Sequence, residues 1–168
     1  MILWVNGPFG AGKTTLCRAL EARPDVTVVD AEQPGYLLQP ILGPKRPVRN
    51  FQDWPAWRVL AADLVRSVHD ELGGVVVVPQ SVFVEAYWDE LLAGIGEPVV
   101  AVTLHVDRAA LERRIRRDLR ERSARRWRLE QVDAYEAARP WLESRSTMID
   151  TTELSPSAVA EAVSAMVP

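Results

Sequence analysis

The 168-residue sequence predicts an α/β fold, with a parallel sheet of about five strands and helices on both of its faces. Short apolar runs alternate with segments of helical periodicity, a pattern typical of βαβ units. Four consecutive valines, Val75–Val78, follow a pair of glycines, as expected of a strand buried on both faces. No repeat or linker interrupts this pattern, so we expect one domain over residues 1–168.

The predicted strands are short, apolar and separated by helical segments. They are Ile2–Val5, Val26–Val29, Val75–Val78, Val99–Val106 and a brief strand at Met148–Ile149.

Turn and capping signals mark the predicted helices. Asp53 is a candidate cap for a helix that opens with Trp54-Pro55, since proline is tolerated in a first turn. Ser155 is expected to cap the last helix, followed by Pro156. The long third helix carries an apolar stripe at Leu60, Leu64, Val68 and Leu72. The other predicted helices are Thr14–Ala22, Gly35–Leu42, Glu85–Ile95, Arg108–Leu119 and Leu129–Leu142.

Composition narrows the class of protein. The net charge of −3 argues against a dedicated nucleic-acid binder, which is usually strongly basic. The single cysteine, Cys17, excludes an internal disulfide and fits a reducing compartment. The first residues lack the basic start of a signal peptide, and no apolar run is long enough to cross a membrane. We therefore expect a cytoplasmic protein without a membrane span.

The segment Gly7–Thr14 fits the pattern G-x-x-x-x-G-K-[ST] directly after the first predicted strand. Glycines let successive backbone N–H groups turn toward phosphate oxygens, and the following helix adds its positive end. The motif therefore predicts binding of ATP or GTP with Mg²⁺, and Lys13 should reach the β- and γ-phosphates. The expected nucleotide-binding residues are Gly7, Gly10, Ala11, Gly12, Lys13, Thr14 and Thr15, with the Thr14 hydroxyl also a ligand of Mg²⁺.

The strand Val75–Val78 ends in Pro79-Gln80-Ser81, so no acidic residue stands at its tip to hold magnesium. Asp30, at the end of the second strand, is the candidate for that carboxylate, because ligands of α/β sheets bind at the carboxyl ends of strands. It could accept the acceptor hydroxyl's proton or orient Mg²⁺ through water. Alternatively, Asp30 only caps the next helix. Glu32 is a second candidate.

Residues 50–58 combine three aromatic rings with a carboxylate, an amide and an arginine, a density that suits a substrate-binding flap. Phe51 and Trp57 could stack on a planar ligand, and Arg58 could pair with an anion. Core packing explains the same residues equally well. Gln80 also falls on the expected ligand side, with capping after the strand as its alternative.

Ten arginines lie between Arg108 and Arg128, and the apolar stripe of this helix stops at Leu119. We therefore predict an arginine-rich helical lid, about residues 116–130, that closes over the nucleotide and excludes water. A solvated helix face with paired charges is the alternative. The candidate phosphate ligands are Arg114, Arg117, Arg120 and Arg125, with Arg117 and Arg120 in a catalytic role and Arg114 on the nucleotide.

After the last strand comes Asp150-Thr151-Thr152. In nucleotide kinases this loop typically borders the adenine, so Thr151 is a candidate contact to the base. It could equally be an ordinary lead into the last helix.

Several of these segments resemble the tunicamycin-resistance P-loop proteins. They are the opening Ile2–Thr14, Val28–Glu32 through Gly35-Tyr36, Phe51–Arg58, and Val76–Pro79 before a polar pair. The resemblance covers most of the chain up to about Leu119 and is weaker beyond it. It implies a nucleoside-kinase-like fold and resistance to a uridine-type nucleoside antibiotic, by ATP-dependent phosphorylation or by tight binding. A membrane-associating extension carried by some relatives is not expected here.

Together, motif and resemblance predict an ATP-dependent phosphotransferase that acts on a hydroxyl of a nucleoside-like small molecule. Two alternatives stay open. The protein could sequester the antibiotic without turnover, or it could be the kinase of another metabolite or drug.

Overall fold

The structure is a computed structural model that describes residues 1–119 and 122–167. Its centre is a five-stranded parallel sheet in the order β2-β3-β1-β4-β5. This confirms the predicted sheet, and all predicted strands are present within a residue or two. The strands are β1 (Ile2–Asn6), β2 (Val26–Val28), β3 (Val75–Pro79), β4 (Val99–His105) and β5 (Thr147–Asp150).

Helices connect these strands and cover both faces of the sheet. Those of the described residues are α1 (Lys13–Leu20), α2 (Gln33–Leu42), α3 (Pro55–Leu72), α4 (Glu85–Ile95), α5 (Arg108–Arg117), α6 (Arg125–Arg145) and α7 (Pro156–Ser164), and a short 3₁₀ turn covers Phe51–Asp53.

Strand periodicity divides the core into two halves. On β1, Leu3 faces a core built with α1, α5 and α7, whereas Trp4 faces a core built with α2, α3 and α4. The valines of β3 divide in the same way, with Val75 and Val77 on the first side and Val76 and Val78 on the second. A strand with helices on both sides has no polar face, which explains the uninterrupted valine run.

The last helix follows the predicted capping pattern. Ser155 Oγ accepts a hydrogen bond from the N–H of Ala158 at 3.2 Å, and Pro156 occupies the first turn. The helix then packs Val159 and Val163 against α1 and the sheet.

Two predictions about α3 were wrong in detail. Asp53 does not cap the helix, which begins after Trp54; the Asp53 carboxylate instead accepts a hydrogen bond from the Tyr87 hydroxyl at 3.2 Å. The stripe that starts at Leu60 is not the buried face, because Leu60 is 37% and Leu72 65% exposed. The helix turns other side chains to the core: Trp57, Arg58, Ala61, Ala62 and Val65.

The predicted lid is more helical than expected. Helix α6 begins at Arg125, one turn before the predicted start at Leu129. Helix α5 ends at Arg117, two residues before the predicted end at Leu119. Arg120, a predicted catalytic residue, lies outside the described residues.

Candidate functional site

The turn between β1 and α1 requires glycine at three places. Gly7, Gly10 and Gly12 have φ angles of 129°, 92° and 103°, a region that other residues rarely adopt. At Gly7, a Cβ atom would lie 2.5 Å from the Leu104 carbonyl oxygen. This turn therefore has the backbone that the motif predicts, tight against the neighbouring strand β4.

Helix α1 begins at Lys13 without a side-chain cap at its N-terminus. The first N–H groups of a helix have no partner within the helix and carry its positive partial charge. They face the same cleft as Gly10, Gly12, Thr14 and Thr15. Such a terminus is suited to bind an anion with several oxygens.

Lys13 lies across this turn. Its Nζ donates hydrogen bonds to the carbonyl oxygens of Gly7 at 2.7 Å and Pro8 at 3.0 Å, and it stands 5.3 Å from the centre of the Phe9 ring. Burial lowers the pKa of Lys13 to about 7, an effect that Glu32 opposes and Arg128 reinforces. The ammonium group is therefore in place for an anion but costly to keep charged in its absence.

A single cleft of about 1450 Å³ runs from this turn to the carboxyl ends of β2 and β3. Most of the predicted nucleotide-binding residues, here called the cradle, and most of the predicted acceptor residues line it, but Gly7, Ala11 and Arg58 do not. The lining includes Gly10, Gly12, Lys13, Thr14 and Thr15 from the cradle, and Asp30, Glu32, Phe51, Trp57 and Gln80 from the predicted acceptor side. The folded chain thus brings together residues up to 70 positions apart, as the sequence reasoning expected.

Asp30 bonds the start of α2, as its structural alternative predicts, and also faces the cleft. One carboxylate oxygen accepts a hydrogen bond from the N–H of Glu32 and the other from Gln33 Nε2, each at 2.9 Å. The side chain therefore stabilises the start of α2. It is also exposed and lines the cleft, so it remains accessible to a ligand. Glu32, the second candidate, accepts a hydrogen bond from the Tyr36 hydroxyl at 3.0 Å.

Buried polar residues hold the turn and the β3–α4 connection together. Asn6 Oδ1 accepts hydrogen bonds from the N–H groups of Gly7 at 2.8 Å and Val82 at 3.0 Å, and Asn6 Nδ2 donates to the Val82 carbonyl. Ser81 Oγ donates to the Gly7 carbonyl at 2.7 Å. Asn6 falls within the Ile2–Thr14 segment that carries the family resemblance, but the sequence does not predict that its side chain links the turn to the β3–α4 connection.

The aromatic residues of the predicted flap divide between the core and the cleft. Trp57 is 1% exposed and belongs to the core, although its edge reaches the cleft wall. Phe51 is half-buried, lines the cleft and packs edge-on against Tyr36 at 5.4 Å between ring centres. Core packing therefore applies to Trp57, whereas Phe51 lies where the predicted ligand contact remains possible.

Arg58 is a correction to the predicted substrate site. Its side chain is buried and does not line the cleft. Its guanidinium binds Glu90 at 2.6 Å, donates to the Gln52 carbonyl and lies over the Tyr87 ring. These contacts engage the guanidinium within the fold, so its role is to tie α3 to α4 and to the 3₁₀ turn.

We expect Arg58→Met to destabilise the fold, because the buried Gln52 carbonyl loses its donor. Leaving a buried polar group without a partner costs about 1–3 kcal/mol, which corresponds to several degrees in Tm for a chain of this size. Thermal unfolding followed by circular dichroism measures this. Arg126→Met is the matched control, since Arg126 is 94% exposed in its pair with Glu130. Equal Tm values for the two variants would contradict the structural role.

One arginine that lines the cleft beside Phe9 was not among the predicted ones. Arg128, on α6, lines the cleft, is 11% exposed and pairs with Asp118 at 2.7 Å. Its guanidinium carbon lies 5.7 Å from the centre of the Phe9 ring, and the neighbouring Trp127 packs on the same ring at 4.9 Å. Arg128 falls within the predicted lid, but the sequence carries no signal that distinguishes it from the other arginines of that segment.

Arg114 lines the cleft, as its predicted contact to the nucleotide requires, whereas Thr151 does not. Arg114 lines the cleft and donates to the carbonyl oxygens of Thr151 at 2.8 Å and Thr152 at 3.1 Å. The Thr151 side chain is 3% exposed and points away from the cleft wall, to the His105 and Ala11 carbonyls. Its hydroxyl therefore secures the loop after β5 to the turn, and the predicted contact of this side chain to the base is wrong.

Arg117 and Arg125, the other predicted arginines that the structure describes, do not line the cleft. Arg117 is exposed at the end of α5 and does not line it. Arg125 lies at the start of α6 beside a separate shallow depression. Arg117 and Arg125 lie nearly one helical turn along α5 and α6 from Arg114 and Arg128, which do line the cleft.

The acidic residues do not form a metal site on their own. Among residues 1–119 and 122–167, no group of three histidine, cysteine or acidic side chains could hold an ion. Thr14 is exposed at the cradle, as a hydroxyl ligand to a phosphate-bound ion requires.

Among the residues that the structure describes, no helix is long and apolar enough to cross a membrane.

Solved structures share this architecture. A tunicamycin resistance protein from Deinococcus radiodurans is 28% identical, over 98% of this chain and 94% of its own, with a TM-score of 0.72. A gluconokinase from Sinorhizobium meliloti 1021 is 18% identical over 95% and 86% of the two chains, with a TM-score of 0.66. A shikimate kinase from Acinetobacter baumannii, solved with shikimate, is 15% identical over 98% and 91%, also at 0.66. No family model and no curated protein matches the chain.

These similarities confirm the predicted three-layer P-loop kinase fold. The resemblance to the tunicamycin-resistance proteins, recognised from short motifs, extends in the structural comparison to nearly the full length of the chain.

Proposed function

We propose that this protein transfers the γ-phosphate of ATP to a hydroxyl group of a uridine-type nucleoside, of which tunicamycin is the first candidate. The observation that carries the proposal is the single cleft shared by Lys13 and Asp30. A phosphate cradle and an accessible carboxylate in one cavity are what phosphotransfer between two small molecules requires.

On the donor side, the backbone N–H groups of the turn and of the first turn of α1 hold the phosphates. Lys13 neutralises charge that develops on the β- and γ-phosphates, and Arg128 adds a second cation from α6. Arg114, fixed by the carbonyls of Thr151 and Thr152, borders the nucleotide. Preorganised donors of this kind require no rearrangement at the moment of transfer.

On the acceptor side, Asp30 accepts the proton of the substrate hydroxyl as its oxygen attacks the γ-phosphorus. One bond forms between the acceptor oxygen and phosphorus, and the bond from phosphorus to the β–γ bridging oxygen breaks, which releases ADP. Phe51 and Glu32 line the part of the cleft that would hold the acceptor. Mg²⁺ carried in with the nucleotide would neutralise phosphate charge, with the Thr14 hydroxyl as its protein ligand.

The direct test is ADP release by the purified protein with ATP and Mg²⁺, with and without tunicamycin and a panel of uridine nucleosides. Mass spectrometry of the acceptor should show a gain of one phosphate. If no nucleoside raises ADP release above the basal rate and none gains mass, the proposed acceptor is wrong.

The second candidate function is sequestration of the nucleoside without turnover. It is favoured by Gln80, which stands after β3 where an acidic residue would assist magnesium, and by the two hydrogen bonds that Asp30 already accepts. Tight binding by calorimetry together with unchanged ADP release would identify this function.

We expect Arg128→Met to lower turnover by about 10²- to 10³-fold, the loss typical of removing one preorganised donor from a charged transition state. Arg117→Met is the matched control, because Arg117 is an exposed arginine at the end of α5 that does not line the cleft. Its effect on turnover should stay within about 2-fold. Steady-state ADP release measures both. A loss at Arg117 with none at Arg128 would mean that α5, not α6, supplies the phosphate ligand.

We expect nucleotide affinity to fall as pH rises above about 7. The free protein has a Lys13 pKa near 7, and bound phosphate raises that pKa, so binding takes up a proton. The association constant should decrease by about tenfold per pH unit between the free and bound pKa values. Calorimetry of ADP binding from pH 7 to 9 measures the slope. In Lys13→Arg, whose guanidinium stays charged, the slope should disappear.

A further inference from the structure

Several buried polar atoms without a hydrogen-bond partner belong to residues of the cleft wall. Among the residues that the structure describes, the buried side-chain atoms without a partner are Trp57 Nε1, His69 Nδ1, Gln80 Oε1, Trp88 Nε1, Arg125 Nε and Arg128 Nε. Trp57, Gln80 and Arg128 line the cleft. Arg128 already has a role beside the phosphates, whereas the other two atoms have none. Because buried polar groups are nearly always hydrogen-bonded, an unpaired one at a cleft wall indicates a ligand group.

The backbone of Gln80 is held on both sides. Its N–H donates to the Val5 carbonyl at 3.1 Å, and its carbonyl accepts a hydrogen bond from Trp4 Nε1 at 3.0 Å. The side chain is 5% exposed, and its Nε2 lies 3.4 Å from the Ser81 carbonyl oxygen. Since two oxygens would repel each other there, the Ser81 carbonyl determines which end of the amide is nitrogen. The end without a partner is therefore Oε1, a hydrogen-bond acceptor.

The contact between Gln80 and Ser81 leaves the amide able to turn. It is long for a hydrogen bond, and the same Ser81 carbonyl accepts a much shorter one from Gln52 Nε2, at 2.6 Å. A small rotation of the Gln80 amide therefore costs little within the fold. Such a rotation presents Oε1 to a ligand in the cleft.

Trp57 supplies a hydrogen-bond donor on the same cleft wall. Its indole is 1% exposed, and Nε1 has no acceptor. Two other buried tryptophans do have one: Trp4 Nε1 donates to the Gln80 carbonyl and Trp54 Nε1 to the Arg46 carbonyl. A buried indole N–H usually finds such a partner. The cleft wall thus holds one unpaired acceptor and one unpaired donor, both uncharged.

The surroundings of these atoms suit a flat, uncharged ring. Phe51 lines the cleft and stacks nearly parallel on Trp54, with 6.0 Å between ring centres. Among the described residues, the buried polar ones that line the cleft carry no charge: Gln52, Gln80 and Ser81. Aromatic rings favour a planar ligand, and neutral buried groups favour neutral partners. A ring amide offers an N–H and a C=O side by side in one rigid plane, which matches both unpaired atoms.

We infer that Gln80 and Trp57 determine which acceptor is bound, by hydrogen bonds to an amide group within a planar ring. Gln80 Oε1 accepts a hydrogen bond from the ring N–H, and Trp57 Nε1 donates one to a ring carbonyl. This inference rests on the proposed function, because uracil is a ring of this kind. It goes further by naming the atoms that read the ring, and it extends to any nucleoside whose base carries the same group, such as inosine.

Calorimetry with matched nucleosides tests the inference without requiring turnover. Uridine and 3-methyluridine differ by one methyl group on the ring nitrogen, as do inosine and 1-methylinosine. The protein should bind the unmethylated member of at least one pair about tenfold or more tightly, since methylation leaves Gln80 Oε1 without a donor.

Gln80→Met separates a hydrogen bond from simple exclusion of the methyl group. The affinity for the unmethylated nucleoside should fall by about tenfold or more, and the preference over the methylated form should disappear. A purely structural role of Gln80 would weaken both members of the pair equally. The variant should fold, because the Ser81 carbonyl keeps Gln52 as its donor.

Trp57→Phe keeps an aromatic ring and removes the N–H, so it should weaken nucleoside binding by about three- to tenfold. Trp88→Phe is the matched control, because Trp88 Nε1 is also buried without a partner but Trp88 does not line the cleft. The two variants should have similar Tm values, and only Trp57→Phe should bind more weakly. Unchanged affinity in Trp57→Phe would overturn the role of Trp57.

Equal affinity within both pairs, or a preference that persists in Gln80→Met, would overturn the inference. So would failure to bind either uridine or inosine. ADP release with uridine is measured separately, so the two proposals can fail independently. Turnover of uridine without any preference for the ring N–H would leave phosphotransfer standing and overturn the inference. Selective binding of inosine alone would support the inference and exclude uridine as the acceptor.

Discussion

Lys13→Met is expected to abolish phosphotransfer, with ADP release lowered by at least about 10²-fold and nucleotide binding weakened. The structure gives the reason: the Lys13 ammonium lies across the turn on the carbonyls of Gly7 and Pro8, at the end of an uncapped helix. Residues 7–12 contain no other cation, so nothing within the turn itself could replace it. Stopped-time ADP assays and calorimetry with ADP measure the two effects.

Lys13→Met should be at least as stable to unfolding as the unaltered protein. Burial lowers the pKa of Lys13, so keeping this lysine charged in the folded protein destabilises the fold. The cost is complete below about pH 7, and it decreases as the pH rises toward the pKa of the lysine in the unfolded chain. Methionine removes that cost, so the Tm at pH 6 should stay equal or rise. Arg66→Met, an exposed cation on α3, serves as the activity control. Normal turnover in Lys13→Met would mean that the cradle does not bind the reacting phosphates.

Asp30→Asn should lower turnover by about 10²- to 10⁴-fold, the range expected for loss of a general base. Asparagine keeps one oxygen acceptor for the Glu32 N–H, so the start of α2 should survive and KM should change less than kcat. Steady-state kinetics with a verified acceptor, together with a Tm measurement, separate a catalytic effect from a structural one.

Comparing Glu32→Gln with Asp30→Asn shows which of the two carboxylates accepts the proton. Both carboxylates line the cleft, and both follow β2. If Glu32→Gln loses turnover and Asp30→Asn retains it, Asp30 only caps the helix and Glu32 is the base. If both variants turn over normally, neither carboxylate accepts the proton.

Much of the fold could be predicted because its signals are local. The valine run of β3 is apolar since both of its faces are buried, and the glycines of the turn are needed at φ angles that other residues avoid. The cap at Ser155 likewise depends on residues within one turn. Such features require no knowledge of what packs against them, so the sheet, the cradle and most element boundaries follow from the amino-acid order.

The side chains that complete the site depend on packing between distant segments. Arg58 reads as a ligand residue in the sequence, but Glu90, 32 positions away, holds it in the fold. Nothing in the local sequence distinguishes Arg128 from Arg117. Only the packing of α5 and α6 in the fold places Arg128 in the cleft and Arg117 outside it. Periodicity states which residues share a face, whereas the docking of one helix on another decides which face meets the cleft. The phosphate cradle therefore comes from the local sequence, and the choice of arginine and the burial of Thr151 come from tertiary contacts.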